Sequence, residues 1–361
     1  MSVRLLLFEN QSAVKQRDDM SSARKTPPRR STRKRRVRML LTCVGRRVEL
    51  LNAFRRAADR LGIRLEIHGA DATQLAPAMH RVDQAHLVRR IDSGHYIDDL
   101  LEVVRQSGVD LLIPTIDPEL PLIAAAVDQF ADAGCCALIS SENVVRICRD
   151  KLATYETLRK AGIDTPRTWP WPEAVKRKRH RFPLFIKPRS GSAAVGNYTV
   201  RDANELRTFG RRVDEAIVQE FVRGVEHTMD VYTGFDGRPR CAVPRKRLEV
   251  RTGEVSKGLI VKDPAIMAVG TRVAEVLGGC RGVVTVQCMM TPRGRIRAIE
   301  INPRFGGGAP LAIHAGADFP RWILMELLGE KPRINPNSFR DNIAMLRYDE
   351  SVFVPNASGL R

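Results

Sequence analysis

The chain has 361 residues, 43% of them apolar, which suits a globular protein of roughly two to three domains. No apolar run approaches the ~20 residues that cross a bilayer, and Val3–Phe8 is too short for the core of a signal peptide, so a soluble, cytoplasmic protein is expected. The net charge of +19 is uneven, because residues 1–38 hold twelve Lys and Arg against three Asp and Glu, which argues against one large nucleic-acid-binding face.

In chain order, residues 1–36 form a basic tail with Pro and Ser and no apolar period, and disorder is expected there. Such a tail can bind nucleic acid or acidic membranes as an accessory. The favoured reading is a dispensable extension or a misplaced start codon, with Met20 and Met39 downstream. From residue 37 the pattern alternates. Strands are predicted at Val37–Val44, Leu65–Gly69, Ala85–Ile91, Asp110–Pro114 and Cys135–Ile139. Helices are predicted at Arg46–Leu61, Tyr96–Gln106 and Pro118–Ala133. Strands alternating with helices imply a parallel α/β sheet covered on both faces, over residues 37–140.

After Ser140 the character becomes α+β. Glu142–Lys160 reads as one helix, Leu184–Lys187 as a short strand, and Ala203–Arg212 as a helix. Extended segments run from Ala216 to Lys262, with turns at Arg223-Gly224 and Asp236-Gly237. A helix at Pro264–Leu277, a hairpin over Gly282–Ile301 and a helix at Pro320–Leu328 complete a unit over residues 141–335, and 336–361 form a C-terminal extension. The seven cysteines include no C-x-x-C pair, and the histidines show no ligand spacing. A disulfide framework and a zinc site are thereby excluded.

The hairpin carries the sharpest chemical signal. With Thr291–Gly294 as its turn, Gln287 falls opposite Ile299 or Glu300, and Glu300 and Asn302, two apart, share a face. Three oxygen-bearing side chains then converge, as hard Mg²⁺ prefers. Ile299 and Ile301 wall in the carboxylate, which argues against a solvated polar face. Arg304 and Gly306–Gly308 follow, a planar fork for an anion and a backbone that can approach a ligand closely. Upstream, Lys187 ends a strand and enters the small-residue loop Ser190, Gly191, Ser192 and Gly196, whose N–H groups could cradle phosphate. Read alone, it is as well a plain hairpin loop. Glu220-Phe221-Val222 leads to a turn followed by Glu226, and read alone is only a strand and a turn.

The order of these features, with Asp150-Lys151 before them, resembles the ATP-grasp superfamily over about residues 38–330. Glu300-Ile301-Asn302-Pro303-Arg304 with the distant Gln287 is similar to the large subunit of carbamoyl-phosphate synthetase. Thr42–Val48 is similar to small stand-alone proteins related to that subunit. The resemblance implies a Rossmann-like N-terminal domain followed by a two-lobed ATP-grasp domain. It implies that Lys151 and Lys187 contact the phosphates of ATP, with Ser190, Gly191, Ser192 and Gly196 in the loop that closes over them. Glu220, Phe221 and Val222 would line the adenine pocket and Glu226 would take the ribose. Gln287, Glu300 and Asn302 would hold Mg²⁺ (Mn²⁺ is an alternative), and Arg304 would face an acyl phosphate. The implied activity is an ADP-forming ligase that phosphorylates a carboxylate for attack by an amine.

The substrate is read from weaker signals. Gly45-Arg46-Arg47 stands where the first strand meets the first helix, a usual ligand edge, and is equally a surface Arg pair. Pro114–Glu119 ends another strand at that edge. Among Arg245–Arg247, Arg251 and Lys257, Lys257 is the preferred catalytic cation because it stands beside Gly258. Small carboxylates and amines are the expected partners, with no membrane and no nucleic acid beyond the tail; a homodimer is open. The alternatives are a bicarbonate-activating, carbamoyl-phosphate-type enzyme and, from another class, a basic nucleic-acid-binding protein.

Overall fold

The computed structural model describes residues 35–191, 195–251, 253–355 and 357. The basic tail, apart from Arg35 and Arg36, lies outside them, as do Ser192 and the last residues of the chain.

Five parallel strands open the fold: β1 (Arg36–Thr42), β2 (Arg64–Asp71), β3 (Gln84–Leu87), β4 (Leu111–Pro114) and β5 (Cys136–Ala137), in the order β3-β2-β1-β4-β5. The connections are α1 (Val48–Leu61), α2 (Tyr96–Ser107), α3 (Leu120–Ala125) and α4 (Val127–Asp132). The order reverses between β1 and β4, and the crevice beyond the carboxyl ends of strands at such a reversal is where open α/β sheets take ligands. Both Gly45-Arg46-Arg47 and Thr115–Glu119 stand there. The single helix expected over 118–133 is instead a 3-10 turn at Asp117–Glu119 and two short helices, interrupted where Ala126 leaves helical geometry (φ −102°, ψ 11°).

The helix expected over 142–160 is also two, α5 (Glu142–Arg149) and α6 (Lys151–Lys160). Asp150 is extended (φ −103°, ψ 105°), and its carboxylate accepts from the N–H groups of Leu152 and Ala153, capping α6. A capping aspartate competes with helical geometry and so punctuates a continuous helical pattern.

Two antiparallel sheets follow. The smaller combines β6 (Thr168–Pro170), β7 (Leu184–Pro188), β8 (Tyr198–Val200) and β9 (Ala216–Glu220) in the order β6-β9-β7-β8, with α7 (Trp171–Lys176) and α8 (Ala203–Gly210). It has a core of its own, around Ile186, Val200, Leu206 and Val218. The larger holds β10 (Val225–Thr233), β11 (Pro239–Arg251), β12 (Glu254–Ile260), β13 (Gly282–Met290), β14 (Ile296–Asn302) and β15 (Ala344–Leu346), in the order β14-β13-β10-β11-β12-β15. Helix α9 (Pro264–Leu277) packs on this sheet, and α10 (Ala309–Ala315) and α11 (Phe319–Leu327) follow β14. Part of the expected C-terminal extension is therefore sheet, since β15 pairs with β12.

One continuous apolar cluster joins the parallel sheet to the large lobe. Leu41, Leu51 and Phe54 share it with Phe305, Phe319, Trp322 and Ile323. Phe54 meets Phe305 edge to face at 6.2 Å. This packing fixes the carboxyl ends of β1 and β4 against the segment after β14. Phe54 is completely buried, so Phe54→Ala removes a ring from a core shared by two sheets. It is expected to lower unfolding stability by ~3–5 kcal/mol, measurable as a shift in the urea midpoint.

Candidate active site

The register of β13 and β14 pairs Gln287 with Glu300 and Thr285 with Asn302. A bulge between the pairs Gln287–Glu300 and Cys288–Ala298 places Ile299 as the extra residue. The three predicted donors thus lie side by side. Asn302 Nδ2 donates to Glu300 Oε1 at 3.2 Å and to Gln287 Oε1 at 3.4 Å. Gln287 Nε2 donates to Glu226 Oε1 at 2.9 Å. Glu226 comes to Gln287 because Thr228, two residues on along β10, is the pairing partner of Gln287.

Two lysines face Glu300. Lys187, at the end of β7, is only 5% exposed. Burial pushes its ammonium down to about 8, against the pull of Glu300. Burial also lowers Lys151, at the start of α6, and Glu300 and Asp117 oppose that shift. Lys151 Nζ donates to the carbonyl of Gly191 at 2.9 Å, so it rests on the small-residue loop. Asp150 grips Arg189 through two hydrogen bonds, 2.6 and 3.0 Å, which ties the start of α6 to the far end of β7.

The partly buried Glu300 has no ion-pair partner among the described residues, in a chain where most shielded acids have one. No cluster of three His, Cys, Asp or Glu able to hold a metal occurs among the described residues. The donor set here is instead one carboxylate and two amide oxygens. Hard oxygen donors around a carboxylate that makes no direct ion pair fit a Mg²⁺ ion that keeps other positions for phosphate and water.

The strand that ends at Glu220 is held from outside. Arg297 Nη2 donates to Glu220 Oε2 at 2.9 Å, and Arg297 Nε to Asp164 at 3.1 Å. The Glu220 carboxylate is thereby turned to this bracket, while Phe221 next to it is exposed and Val222 is half-buried. Glu226 Oε1 takes both Arg247 and Gln287, which leaves Oε2 without a hydrogen bond among the described residues. Ser190 and Gly191 are exposed at the loop's near end, and Gly196 takes φ +74° at its other end.

At the sheet reversal, Gly45 takes φ +45° and its N–H donates to Asp71 Oδ2 at 2.9 Å. Arg47 is mostly buried and reaches Thr115 O at 3.4 Å and Glu254 at 3.4 Å. Arg46 stays exposed, 3.8 Å from Glu254. Arg304 does not stand free: it donates to Asp117 Oδ2 at 2.5 Å, across from the large lobe to the parallel sheet. Its buried Nε has no hydrogen-bond partner among the described residues.

Sequence reasoning and geometry part at three places. Lys257 is half-exposed and given to Glu249 at 2.7 Å; it makes no hydrogen bond or ion pair with the other candidate residues. The Gly306–Gly308 run makes room for side chains of this chain: a Cβ at Gly308 would come within 2.4 Å of Arg245 Nε, and one at Gly307 within 2.9 Å of Glu254. Arg245 itself is buried in an ion pair with Asp230. Glu254 and Arg347 were missed altogether. Arg347 arrives through the pairing of β15 with β12, a long-range contact with no local signature in sequence.

With this geometry in hand, family comparison is informative. Residues 39–139 match the model described as PylC-like, N-terminal domain, and residues 148–308 match that described as ATP-grasp domain. Residues 148–308 thus carry an ATP-grasp domain, preceded by a PylC-like N-terminal domain. It is 27% identical over 221 residues to 3-methyl-D-ornithine--L-lysine ligase of Methanosarcina acetivorans, covering 60% of this chain and 55% of that protein. It is 32% identical over 100 residues to D-alanine--D-alanine ligase of Bacillus anthracis, covering 24% of this chain and 32% of that one. The chain thus spans about half or less of the length of these curated relatives. Among solved structures, the biotin carboxylase domain of Hydrogenobacter thermophilus 2-oxoglutarate carboxylase, in complex with MgADP, ADP and bicarbonate, superposes with a TM-score of 0.69 at 16% identity, covering 85% of this chain and 73% of that one. L-amino acid ligase of Bacillus licheniformis gives a TM-score of 0.64 at 20% identity, covering 82% of this chain and 75% of that one. Both show the fold expected from the order of motifs: an N-terminal α/β domain and two ATP-grasp lobes. Among the described residues no helix is long and apolar enough to cross a membrane.

The environment of Lys187 yields a direct test. Its ammonium is expected to titrate near pH 8 when followed by NMR of labelled lysine. Because Glu300 favours the charged form, Glu300→Gln should move the titration further down; an upward move would show that the two groups do not face each other.

Proposed function

We propose that this protein is a magnesium- and ATP-dependent, ADP-forming ligase that phosphorylates a carboxylate and passes its acyl group to an amine. The observation that carries the reading is that Lys151, which hydrogen-bonds the small-residue loop at Gly191, and Lys187, which enters that loop, are both held under the influence of Glu300. Asp117, paired with Arg304 at the reversal of the parallel sheet, also acts on Lys151, which supports a nucleotide site beside a substrate edge.

In this reading Lys151 and Lys187 bind the phosphates of ATP, and the loop from Ser190 to Gly196 closes over them. Phe221 and Val222, with the backbone of Glu220, line the adenine pocket, and Glu226 Oε2 is free to accept from ribose. Gln287, Glu300 and Asn302 hold Mg²⁺, which supplies charge neutralisation on the transferring phosphoryl group. A substrate carboxylate oxygen attacks the γ-phosphorus and ADP leaves, giving an acyl phosphate. The amine nitrogen then attacks the acyl carbon, inorganic phosphate leaves, and the nitrogen gives up a proton. The buried cations Lys187 and Arg304 lower the cost of the charge that develops, and the loop keeps water from the acyl phosphate. All seven cysteines are free, which suits a reducing compartment such as the cytoplasm.

The reading is tested by ADP release with magnesium-ATP against amino acids, other small carboxylates and bicarbonate, with hydroxylamine as the trap. A hydroxamate identifies the activated acid; product from bicarbonate alone would favour a carboxylating enzyme. Glu300→Gln should cut turnover by about 10²-fold or more while circular dichroism is unchanged, and full retention of activity would overturn the proposal. Because a neutral lysine cannot pair with phosphate, kcat/KM for ATP should fall as pH rises through about 8. Lys187→Arg should abolish that inflection.

A further inference from the structure

At the start of β12 a single carboxylate meets three guanidinium groups from two distant parts of the chain. Glu254 lies 3.4 Å from Arg47 and 3.8 Å from Arg46, both after β1, and 3.3 Å from Arg347, after β15. Arg347 is held in place by its own backbone, which donates to Ser256 O at 3.0 Å, and by a side-chain hydrogen bond to the carbonyl of Gly307. The chain beyond it is pinned in turn, through Asp349 to Arg251 and through Glu350 to Arg81. Next to this group stands Arg304, paired with Asp117.

These charges act on one another in series. Lys187 and Lys151 face Glu300, Asp117 acts on Lys151 and pairs with Arg304, and Arg304, Asp117, Glu254 and Arg347 all act on Arg47. In the ligase reading the lysines mark the nucleotide end, and Arg347 belongs to the group around Glu254, which reaches Arg47 rather than the lysines. The cations there, Arg46, Arg47, Arg304 and Arg347, outnumber the acids Asp117 and Glu254 by two. Two planar forks from different segments, meeting on one carboxylate, are what recognition of a carboxylate requires. Glu254 is about one-third exposed, and a glutamate side chain has the torsional freedom to turn out into water.

We propose that Glu254 occupies the place of a second substrate carboxylate, which Arg47 and Arg347 bind once Glu254 turns aside. The substrate is then a dicarboxylate, acidic amino acids included, phosphorylated at the end beside Glu300 and held at the other by Arg347. This rests on the ligase reading above and adds the substrate class and a specificity-determining residue outside the segment that matches the ATP-grasp model.

The test compares succinate, glutarate, aspartate and glutamate with monocarboxylates of equal length, and with O-phosphoserine as a phosphate-bearing carboxylate, in the ADP-release assay. Binding of the same acids to the full-length protein is followed in parallel by calorimetry without nucleotide. The diacids should exceed the monoacids by about tenfold or more in kcat/KM, and Arg347→Ala should lower the diacid value by about tenfold or more, mainly through KM. Arg347→Lys should recover part of that loss. Glu254→Gln, which weakens the internal competitor, should lower KM for the diacids and leave KM for the monoacids where it was. Equal use of monoacids and diacids by the unaltered enzyme, an equal loss on both with Arg347→Ala, or a preference for O-phosphoserine over glutamate would each overturn the proposal. If no acid releases ADP, the ligase reading falls by itself. The distal site then stands if calorimetry shows diacid binding that Arg347→Ala abolishes, and falls if it does not.

Discussion

Gln287 lies opposite Glu300 because β14 carries one extra residue, Ile299, before the carboxylate. The period of a strand is two, so a one-residue slip would send every side chain on β14 to the other face. The bulge allows Ala298 to stay buried beside Cys288 while Glu300 and Asn302 still share the face of Gln287. The neighbours of β13 inherit that alignment: β10 brings Glu226 to Gln287, and the turn after β14 brings Arg304 to Asp117. The cleft is thus arranged by the register of one hairpin, and the apolar cluster around Phe54 and Phe305 holds the parallel sheet against it.

Around this frame the electrostatics divide by residue type. The nucleotide side uses lysines, whose ammonium groups give up their proton more readily when buried, and burial pushes Lys187 down to about 8. The side at the sheet reversal uses arginines, which stay charged and have planar forks. Burial lowers even Arg47, and Glu254 offsets that shift. For Glu254 itself, burial raises the carboxyl, but Arg47, Arg347 and Arg46 outweigh it and hold the group below the usual carboxylate range.

Much of this was legible in the sequence. The parallel domain showed itself through alternating strands and amphipathic helices, and the hairpin donors through their spacing and the turn at Thr291–Gly294. What was not legible has two physical sources. Short-range capping overrode continuous helical patterns, as at Asp150. Long-range pairing at a sheet edge left no local trace, so Arg347 and Glu254 were invisible while Lys257, beside a glycine, attracted notice. The glycine run after Arg304 was conspicuous in sequence, but the close neighbours it admits are the side chains of Arg245 and Glu254.

Asp150 is a joint between two bodies. Helix α6 packs through Leu158 into the core of the six-stranded sheet, whereas Arg189 extends from a strand of the four-stranded one. Burial raises the Asp150 carboxyl, but Arg189 and the two N–H groups at the start of α6 outweigh it and keep the group below its ordinary range. One charge therefore serves both as the cap of a helix and as the rivet of a lobe. The first turn of α6 cannot fray without loosening Arg189, and the small sheet cannot draw away without uncapping the helix that begins with Lys151. In the language of cooperativity, the helix start and the strand end share one link.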